Sequence, residues 1–285
     1  MNDQELFIVG ANGQLGIALR ARYPGARFAD IDKLDITSRK SVEDFDWSGI
    51  KVVLNVAAFT NVDGAETSDG RVAAWKVNAT AVLYLVQACR TRSMTLVHIS
   101  SDYVFDGNTN PHTEEEPFSP LNTYGDSKAA GDLLVASLPQ YYILRTTWVI
   151  GEGKNFVRTM LSLAERGISP TVVADQIGRL TFTSELVRVI DYILLQKVAS
   201  GTYNVTNCGE PASWSDITRR IFAFSGYDAL SVTDISTSDY YEGKDGIAPR
   251  PLLSTMSLDK LQAIGFTSRD WQDDLKDYIK KENQS

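Results

Sequence analysis

Residues 10–16 read Gly10-Ala11-Asn12-Gly13-Gln14-Leu15-Gly16, directly after the apolar run Leu6-Phe7-Ile8-Val9 and at the start of a helical pattern carrying Leu15, Ala18 and Leu19. No other feature limits the fold so strongly. A strand that turns at once into a helix needs residues without a Cβ, both for the tight turn and for close approach of backbone to a ligand. The helix N-terminus then offers free N–H groups to an anion, and a pyrophosphate is the anion that such a loop cradles. A glycine string alone is weak, but one set between a strand and an amphipathic helix predicts a dinucleotide site.

The remaining pattern supplies a sheet around that unit. Val52-Val53-Leu54-Asn55-Val56 and Leu96-Val97-His98-Ile99 are short, nearly continuous apolar runs, as strands buried on both faces require. Residues 27–31 and 141–144 are further strand candidates. Between them lie helical spacings, the first ending near Pro24-Gly25 and a longer one marked by Val72, Trp75, Ala79, Val82, Leu83 and Val86. Strands alternating with helices predict an α/β, doubly wound parallel sheet of Rossmann type. Residues 1–150 are expected to form the dinucleotide-binding domain. Residues 151–285 are expected to form mainly a smaller mixed α/β substrate lobe, with segments near 171–175 and 183–205 returning to the first domain. Within that half, 156–166, 186–195 and 271–281 read as helices, and Ser213-Trp214-Ser215-Asp216 as a capping box before another.

Charge and cysteine usage remove several function classes. A net charge of −8 over 285 residues argues against broad nucleic-acid or membrane-surface binding. Cys89 and Cys208 are too few for a disulfide framework, and neither a signal peptide nor a run of about 20 apolar residues is evident. The setting expected is cytoplasmic. His98 and His112 are the only histidines, so no transition-metal cluster is predicted. His98 lies in an apolar strand and reads as a hydrogen-bonded core residue, and Glu114-Glu115-Glu116 as a solvated loop.

Two groups of residues carry chemistry. Asp30, at the end of the second strand, stands where an acid meets an adenosine ribose and favours NADH, whereas Lys33 nearby could neutralise a 2′-phosphate and admit NADPH. Cofactor preference stays open. Tyr124 and Lys128 are four residues apart, on one helix face. A phenol with a pKa near 10 reaches about 7 only if its phenolate gains roughly 4 kcal/mol, which a neighbouring ammonium and a nicotinamide ring that is cationic in its oxidised form can supply. Ser101 ends the fourth strand, at the edge where ligands bind, and its hydroxyl can orient a substrate carbonyl. The expected reaction is hydride delivery to a carbonyl carbon with a proton from Tyr124 to its oxygen.

The Gly-x-x-Gly-x-x-Gly spacing resembles that of short-chain dehydrogenase/reductases. Further motifs narrow the likeness: Leu34-Asp35-Ile36-Thr37, Asn55-Val56-Ala57-Ala58-Phe59-Thr60-Asn61-Val62-Asp63-Gly64-Ala65-Glu66, Ser100-Ser101-Asp102-Tyr103-Val104-Phe105-Asp106-Gly107, Arg145-Thr146-Thr147-Trp148-Val149, Asp175-Gln176-Ile177-Gly178 and Arg250-Pro251. In this order they resemble the dTDP-4-dehydrorhamnose reductase family, from Gly10 to about Trp271. The resemblance implies reduction of the C4 ketone of a dTDP-linked 6-deoxy-hexulose by NADPH or NADH, with Ser101, Tyr124 and Lys128 as the catalytic set. It implies Gly10, Asn12, Gly13, Gln14, Leu15, Asp35, Ile36, Ala57 and Ala58 around the cofactor, and Asn78 ordering the site. Thr60, Val62, Asp102, Tyr103 and Trp148 are implied at the sugar, the last through an aromatic face on a deoxy sugar. Arg250 could pair with the diphosphate. Ser101 stands where the family usually has Thr, Leu180 where it has Pro, and Leu253 where it has Asn. The resemblance admits a homodimer, and magnesium held by glutamates at a dimer contact is described for some members, but no glutamate set here marks such a site.

Three other readings compete: a ketoreductase for a different nucleotide-linked deoxy-sugar, an epimerase or dehydratase with tightly held NAD, and a non-catalytic subunit resembling the regulatory beta subunit of methionine adenosyltransferase. One inverted hydroxyl depends on a few pocket contacts and leaves little trace in sequence.

Overall fold

Because the apolar strands need cover on both faces, they assemble as one parallel layer between helices, in a computed structural model that describes residues 2–284. In chain order the first part comprises β1 (Leu6–Val9), α1 (Gln14–Arg22), β2 (Arg27–Ala29), α2 (Arg39–Asp44), β3 (Val52–Asn55), α3 (Ser68–Trp75), α4 (Ala81–Arg92), β4 (Thr95–Ser101), α5 (Thr123–Val135) and β5 (Tyr141–Thr146). Then follow β6 (Val149–Ile150), α6 (Phe156–Glu165), β7 (Thr171–Val173), β8 (Ile177–Gly178), β9 (Thr181–Phe182), α7 (Thr183–Gln196), β10 (Gly201–Asn204) and β11 (Ala212–Ser213). The chain closes with α8 (Trp214–Phe224), β12 (Thr233–Ile235), α9 (Thr237–Tyr241), α10 (Asp259–Ala263) and α11 (Trp271–Glu282).

The large sheet has six strands in the order β10-β5-β4-β3-β1-β2, and every pairing in it is parallel. Successive residues of one strand enter opposite cores. Leu6 and Ile8 pack with Leu19, Leu186, Val189 and Ile190 on the α1/α7 side. Phe7 and Val9 pack with Val42, Val82, Leu85 and Val86 on the α2/α4 side. Full burial of each such side chain contributes about 1.5–3 kcal/mol, and among the described residues of the sheet only the edge strand β2 leaves a large apolar side chain, Phe28, exposed. The order reverses between β1 and β3, which makes the crevice at their carboxyl ends the switch point where open α/β sheets bind ligands.

A third core lies outside the sheet, where Val157, Met160, Leu161, Ile217, Ile221, Phe222, Trp271, Leu275 and Ile279 bring α6, α8 and α11 together. Ser213 and Asp216 cap α8 reciprocally, each side chain serving the other's backbone N–H. β10 lies beside β5 at the sheet edge, and α7 packs in the α1-side core. The expected return of residues 171–175 to the sheet does not occur: β7 pairs instead with β12 in a separate two-stranded ribbon. An apolar run of three residues fits either partner, and its pattern does not distinguish them.

The helix expected as one amphipathic run before Cys89 is α3 and α4 joined by a π turn at Lys76–Thr80. The wider turn breaks the phase of the apolar stripe. Val82, Leu85, Val86 and Cys89 are core residues, whereas Val72 and Trp75 are 68% and 42% exposed. By length and composition alone the run Ser68–Arg92 could cross a membrane, a property absent from the sequence expectation. Its inner face belongs to the sheet core.

Candidate active site

A cleft of about 820 Å³ follows the carboxyl ends of five strands, lined by Val9 at the end of β1, Asp30 after β2, Val56 to Ala58 after β3, Ser100 and Ser101 at β4, and Thr146 to Trp148 at β5. That volume is within the range of small-molecule and cofactor sites. The glycine loop forms its floor at the β1 end. Gly10 has φ +83°, and a Cβ there would lie 2.6 Å from the Ala57 nitrogen. A Cβ on Gly16 would lie 2.3 Å from the Gly10 carbonyl oxygen, while Gly13 faces open space apart from that oxygen at 3.5 Å. Gly13 is the N-cap of α1 and brings no side-chain cap, so the first-turn N–H groups remain available to a ligand anion. This cradle fits a dinucleotide pyrophosphate.

Asp30 is tied to the same loop. Its carboxylate accepts from the Asn12 N–H at 3.0 Å and from the Ile31 N–H at 2.8 Å. Asn12 itself is exposed and outside the cleft lining, its side-chain oxygen accepting from Arg20 at 3.4 Å. Arg20 and Lys33 both stand over the Phe28 ring, at 4.2 and 5.1 Å. Asp35 accepts from both the N–H and the hydroxyl of Thr37, at 2.9 and 2.6 Å. Those bonds hold its carboxyl below the usual range.

At the β4/β5 end, the α5 helix starts at an Asn122 cap whose side chain accepts from the Gly125 N–H at 2.8 Å. One turn of α5 then brings Tyr124 and Lys128 to the cleft together. The Tyr124 ring meets Tyr103 edge-on, centroids 5.4 Å apart. Ser101 Oγ donates to Asp102 at 3.0 Å and accepts from the Tyr103 N–H at 3.2 Å. Burial pushes the Tyr124 phenol up to about 12, with Asp102 and Asp132 adding to the rise and the Ser101 hydroxyl opposing it. The sequence expectation was the reverse, a phenol lowered by Lys128. Burial is the larger effect here, and it acts on the ammonium too: Lys128 Nζ is itself buried and donates to the Ile99 carbonyl at 2.7 Å. Burial brings Lys128 down to about 8 against the pull of Asp132. Burial likewise raises Asp102, against hydroxyls of Ser254, Ser101 and Thr147.

Asn78, on the π turn, clamps the loop after β3. Its oxygen accepts from the Phe59 N–H at 2.9 Å, and its Nδ2 donates to the Phe59 carbonyl at 3.1 Å and to Ser127 Oγ at 3.0 Å. One buried amide thus ties the β3 loop to α5. Trp148, at φ +46°, lines the cleft and stacks on Trp214 at 3.8 Å. Gly178 gives its ring room, since a Cβ there would come within 3.1 Å.

Among the residues proposed from sequence, the cleft brings together Gly10, Gly13, Gln14, Leu15, Asp30, Asp35, Ile36, Ala57, Ala58, Thr60, Val62, Ser101, Asp102, Tyr103, Tyr124, Lys128 and Trp148. Arg250 is not among them. Its guanidinium forms a two-point ion pair with Asp63, at 2.6 and 2.8 Å, so a diphosphate would have to displace a carboxylate already in place. Leu180 is a core residue and Leu253 offers its carbonyl to His112 at 3.0 Å; neither lines the cleft. The glutamate run is only partly a solvated loop. Glu115 is exposed, but Glu114 accepts from the Asn204 N–H at 2.9 Å and Glu116 pairs with His112 at 2.8 Å. Ser100, placed with Ser101 at the ligand edge of β4 from the sequence, does line the cleft, whereas Thr146, Thr147 and Leu186 were passed over as lining residues. The hydroxyls directly after the apolar stretch of β5 were the available signal, since strand ends face the cleft.

The chain matches the family described as the RmlD substrate binding domain over residues 4–284. It is 38% identical to a dTDP-4-dehydrorhamnose reductase of Aggregatibacter actinomycetemcomitans, covering 95% of this chain and 97% of that one. A dTDP-4-keto-6-deoxy-D-glucose reductase of Streptomyces niveus is 36% identical over 95% of this chain and 94% of its own. The crystal structure of dTDP-4-dehydrorhamnose reductase from Bacillus anthracis in complex with NADP superimposes with a TM-score of 0.88 at 31% identity, covering 97% of this chain and 98% of that one.

Proposed function

The chain belongs to the RmlD family of dTDP-4-dehydrorhamnose reductases, and from that premise we propose that it reduces the C4 ketone of dTDP-4-dehydro-L-rhamnose to dTDP-L-rhamnose. It is an oxidoreductase that uses NADPH or NADH on a dTDP-linked keto-sugar. The observation that carries the finer reading is the meeting, in one cleft, of a glycine-walled anion cradle with a phenol, a hydroxyl and an ammonium at the far strand ends.

With its pyrophosphate at the cradle, a reduced nicotinamide dinucleotide would supply the hydride at the far strand ends, beside Tyr124 and Ser101. Gly10, Gly13, Gln14 and Leu15 would hold the pyrophosphate, and Asp30, Asp35, Ile36, Ala57 and Ala58 the adenosine side. The remaining work belongs to the chain's own side chains. The Tyr124 hydroxyl, whose proton burial holds more tightly than in an ordinary phenol, donates to the ketone oxygen as negative charge develops there. Ser101 turns its hydroxyl on the same oxygen and fixes the carbonyl plane. Lys128 supplies positive charge behind the phenol, which favours the phenolate left after donation. Thr60, Val62, Tyr103 and Trp148 take the deoxy-sugar, Trp148 through its ring face. Cys89 and Cys208 are free thiols, in keeping with a cytoplasmic setting.

A second reading, reduction of a different dTDP-linked keto-sugar, is favoured by the name of the Streptomyces niveus relative, a dTDP-4-keto-6-deoxy-D-glucose reductase. One experiment tests both. Absorbance at 340 nm is followed with NADPH and then NADH as the protein meets enzymatically generated dTDP-4-dehydro-L-rhamnose, and the product is chromatographed against dTDP-L-rhamnose. Oxidation with that product supports the first reading. Oxidation only with another keto-sugar, or a different product, supports the second. Dinucleotide binding without any turnover would overturn both.

A further inference from the structure

Behind Lys128 lies a second row of buried polar groups that the reaction as described does not use. Asn55 at the end of β3 and His98 on β4 are both fully buried, side by side in the sheet register. The Ala57 backbone N–H, at 3.3 Å, can be accepted only by the Asn55 side-chain oxygen. That fixes the amide, so its NH₂ faces His98 Nδ1 at 3.0 Å and donates to it. With Nδ1 occupied as an acceptor, a neutral imidazole carries its proton on Nε2. Burial and the Lys128 charge both keep this ring neutral. His98 Nε2 stands 3.5 Å from Lys128 Nζ. An N–H aimed at an ammonium is repelled by it, and the same N–H aimed at an amine lone pair is a hydrogen bond.

We propose that Asn55 and His98 are positioning residues that act through Lys128: the pair presents an Nε2–H to Nζ and so shifts the side chain toward its amine form within the working pH range. The other charged and titratable groups around Lys128 do not remove this bias. Asp132, one turn further along α5, favours the ammonium, but its carboxylate is shared with Arg145 of β5 at 3.1 Å. Tyr124 on α5 and Asp102 after β4 are both shifted by burial toward their neutral forms. Gly131 is required by the Asn78 carbonyl oxygen, 2.4 Å from where a Cβ would stand, and that Cβ would only touch the His98 ring, at 3.6 Å from Nε2. The consequence for turnover rests on the catalytic reading of Lys128 above: the charge that favours the phenolate is lost at a lower pH than in an ordinary lysine.

Two measurements without substrate test the pair directly. In protein with 15N-labelled histidine, which has only two rings to assign, long-range 15N–1H correlations report each tautomer. An Nε2–H ring at His98 is expected, and an Nδ1–H ring overturns the proposal. In protein 13C-labelled at lysine Cε, the resonance missing from Lys128→Met identifies Lys128, and its titration midpoint is read against pH. His98→Gln, whose side-chain carbonyl can accept from Nζ, is expected to move that midpoint up by about one pH unit. An unmoved midpoint in the folded variant overturns the proposal. Should His98→Gln not fold, Asn55→Asp replaces the amide donor by an acceptor, draws the ring proton to Nδ1, and is expected to move the midpoint the same way, with the same adverse outcome. The basic limb of the kcat profile separates the two readings. If it moves with the midpoint, both stand; if the midpoint moves and the limb does not, the tuning stands and the catalytic role of Lys128 falls.

Discussion

Tyr124 and Lys128 are shifted by burial in opposite directions, and each direction has a measurable result. A phenol raised to about 12 is a proton donor that holds its proton until the ketone oxygen draws on it. Tyr124→Phe keeps the edge-on contact with Tyr103 and removes only the hydroxyl. Turnover is expected to fall by about 10²–10⁴-fold, while dinucleotide affinity, read by fluorescence titration, changes little. Comparable turnover would assign the proton to another group. For Lys128 the effect appears in stability. The folded chain binds its proton only below about pH 8, the unfolded chain below 10.5. Between those values the unfolded state holds more protons, so this group's contribution to stability rises with pH. Lys128→Met, which carries no charge to bury, should therefore gain most over the wild type below pH 8. That advantage in denaturation midpoint should shrink by pH 10.5, and a constant difference would contradict the burial of the ammonium.

At the level of elements, the π turn between α3 and α4 is where local structure and site meet. It sets Asn78 inward, where one amide satisfies both backbone groups of Phe59 and the Ser127 hydroxyl; widened turns of this kind are often found at functional sites. Asn78→Leu leaves the half-buried N–H and carbonyl of Phe59 without this partner, while the Ser127 hydroxyl still donates to the Tyr124 carbonyl at 2.7 Å. Each orphaned group costs about 1–3 kcal/mol, so urea denaturation should show a loss of at least that size, with turnover falling as the β3 loop and α5 separate. Sequence periodicity could not show this turn. Trp75, Ala79 and Val82 continue an ordinary helical spacing, and the extra residue is visible only as the outward face of Val72 and Trp75. The glycine loop, by contrast, was fully legible. Gly10 and Gly16 are required by backbone approaches of 2.6 and 2.3 Å, and only glycine meets such a demand. Tyr124 and Lys128 were legible for a similar reason, since a helix fixes the geometry of residues four apart. The direction of the Tyr124 shift was not, because it depends on how much protein surrounds the phenol. Nor was the ion pair of Arg250 with Asp63, whose partners are 187 residues apart.

For the molecule as a whole, the path of the chain couples the α6/α8/α11 core to the large sheet. The chain leaves the sheet after β5, returns through α7 to β10 at its edge, and leaves again for α8. Asn122 adds a link, donating at 2.8 Å to the carbonyl of Pro249 while capping α5. Ile221 is fully buried in the outer core. Ile221→Ala is expected to cost about 2–5 kcal/mol, and to shift the unfolding transition without splitting it. A two-step urea curve would mean that the two cores unfold independently. The sheet was legible from its apolar runs, and the arrangement of the second half was not. Strands of two or three residues such as β6, β8, β9 and β11 carry too little pattern to name their partners.

The stacked indoles of Trp148 and Trp214 give the protein an optical reporter of its own. Two such chromophores, their ring centroids 3.8 Å apart and their planes 24° from parallel, share their excitations, which produces a paired positive and negative band in circular dichroism. Trp148 also faces the cleft, so a sugar resting on it must perturb that coupling. Occupancy of the sugar end could then be followed in unlabelled protein, with Trp214→Phe abolishing the signal.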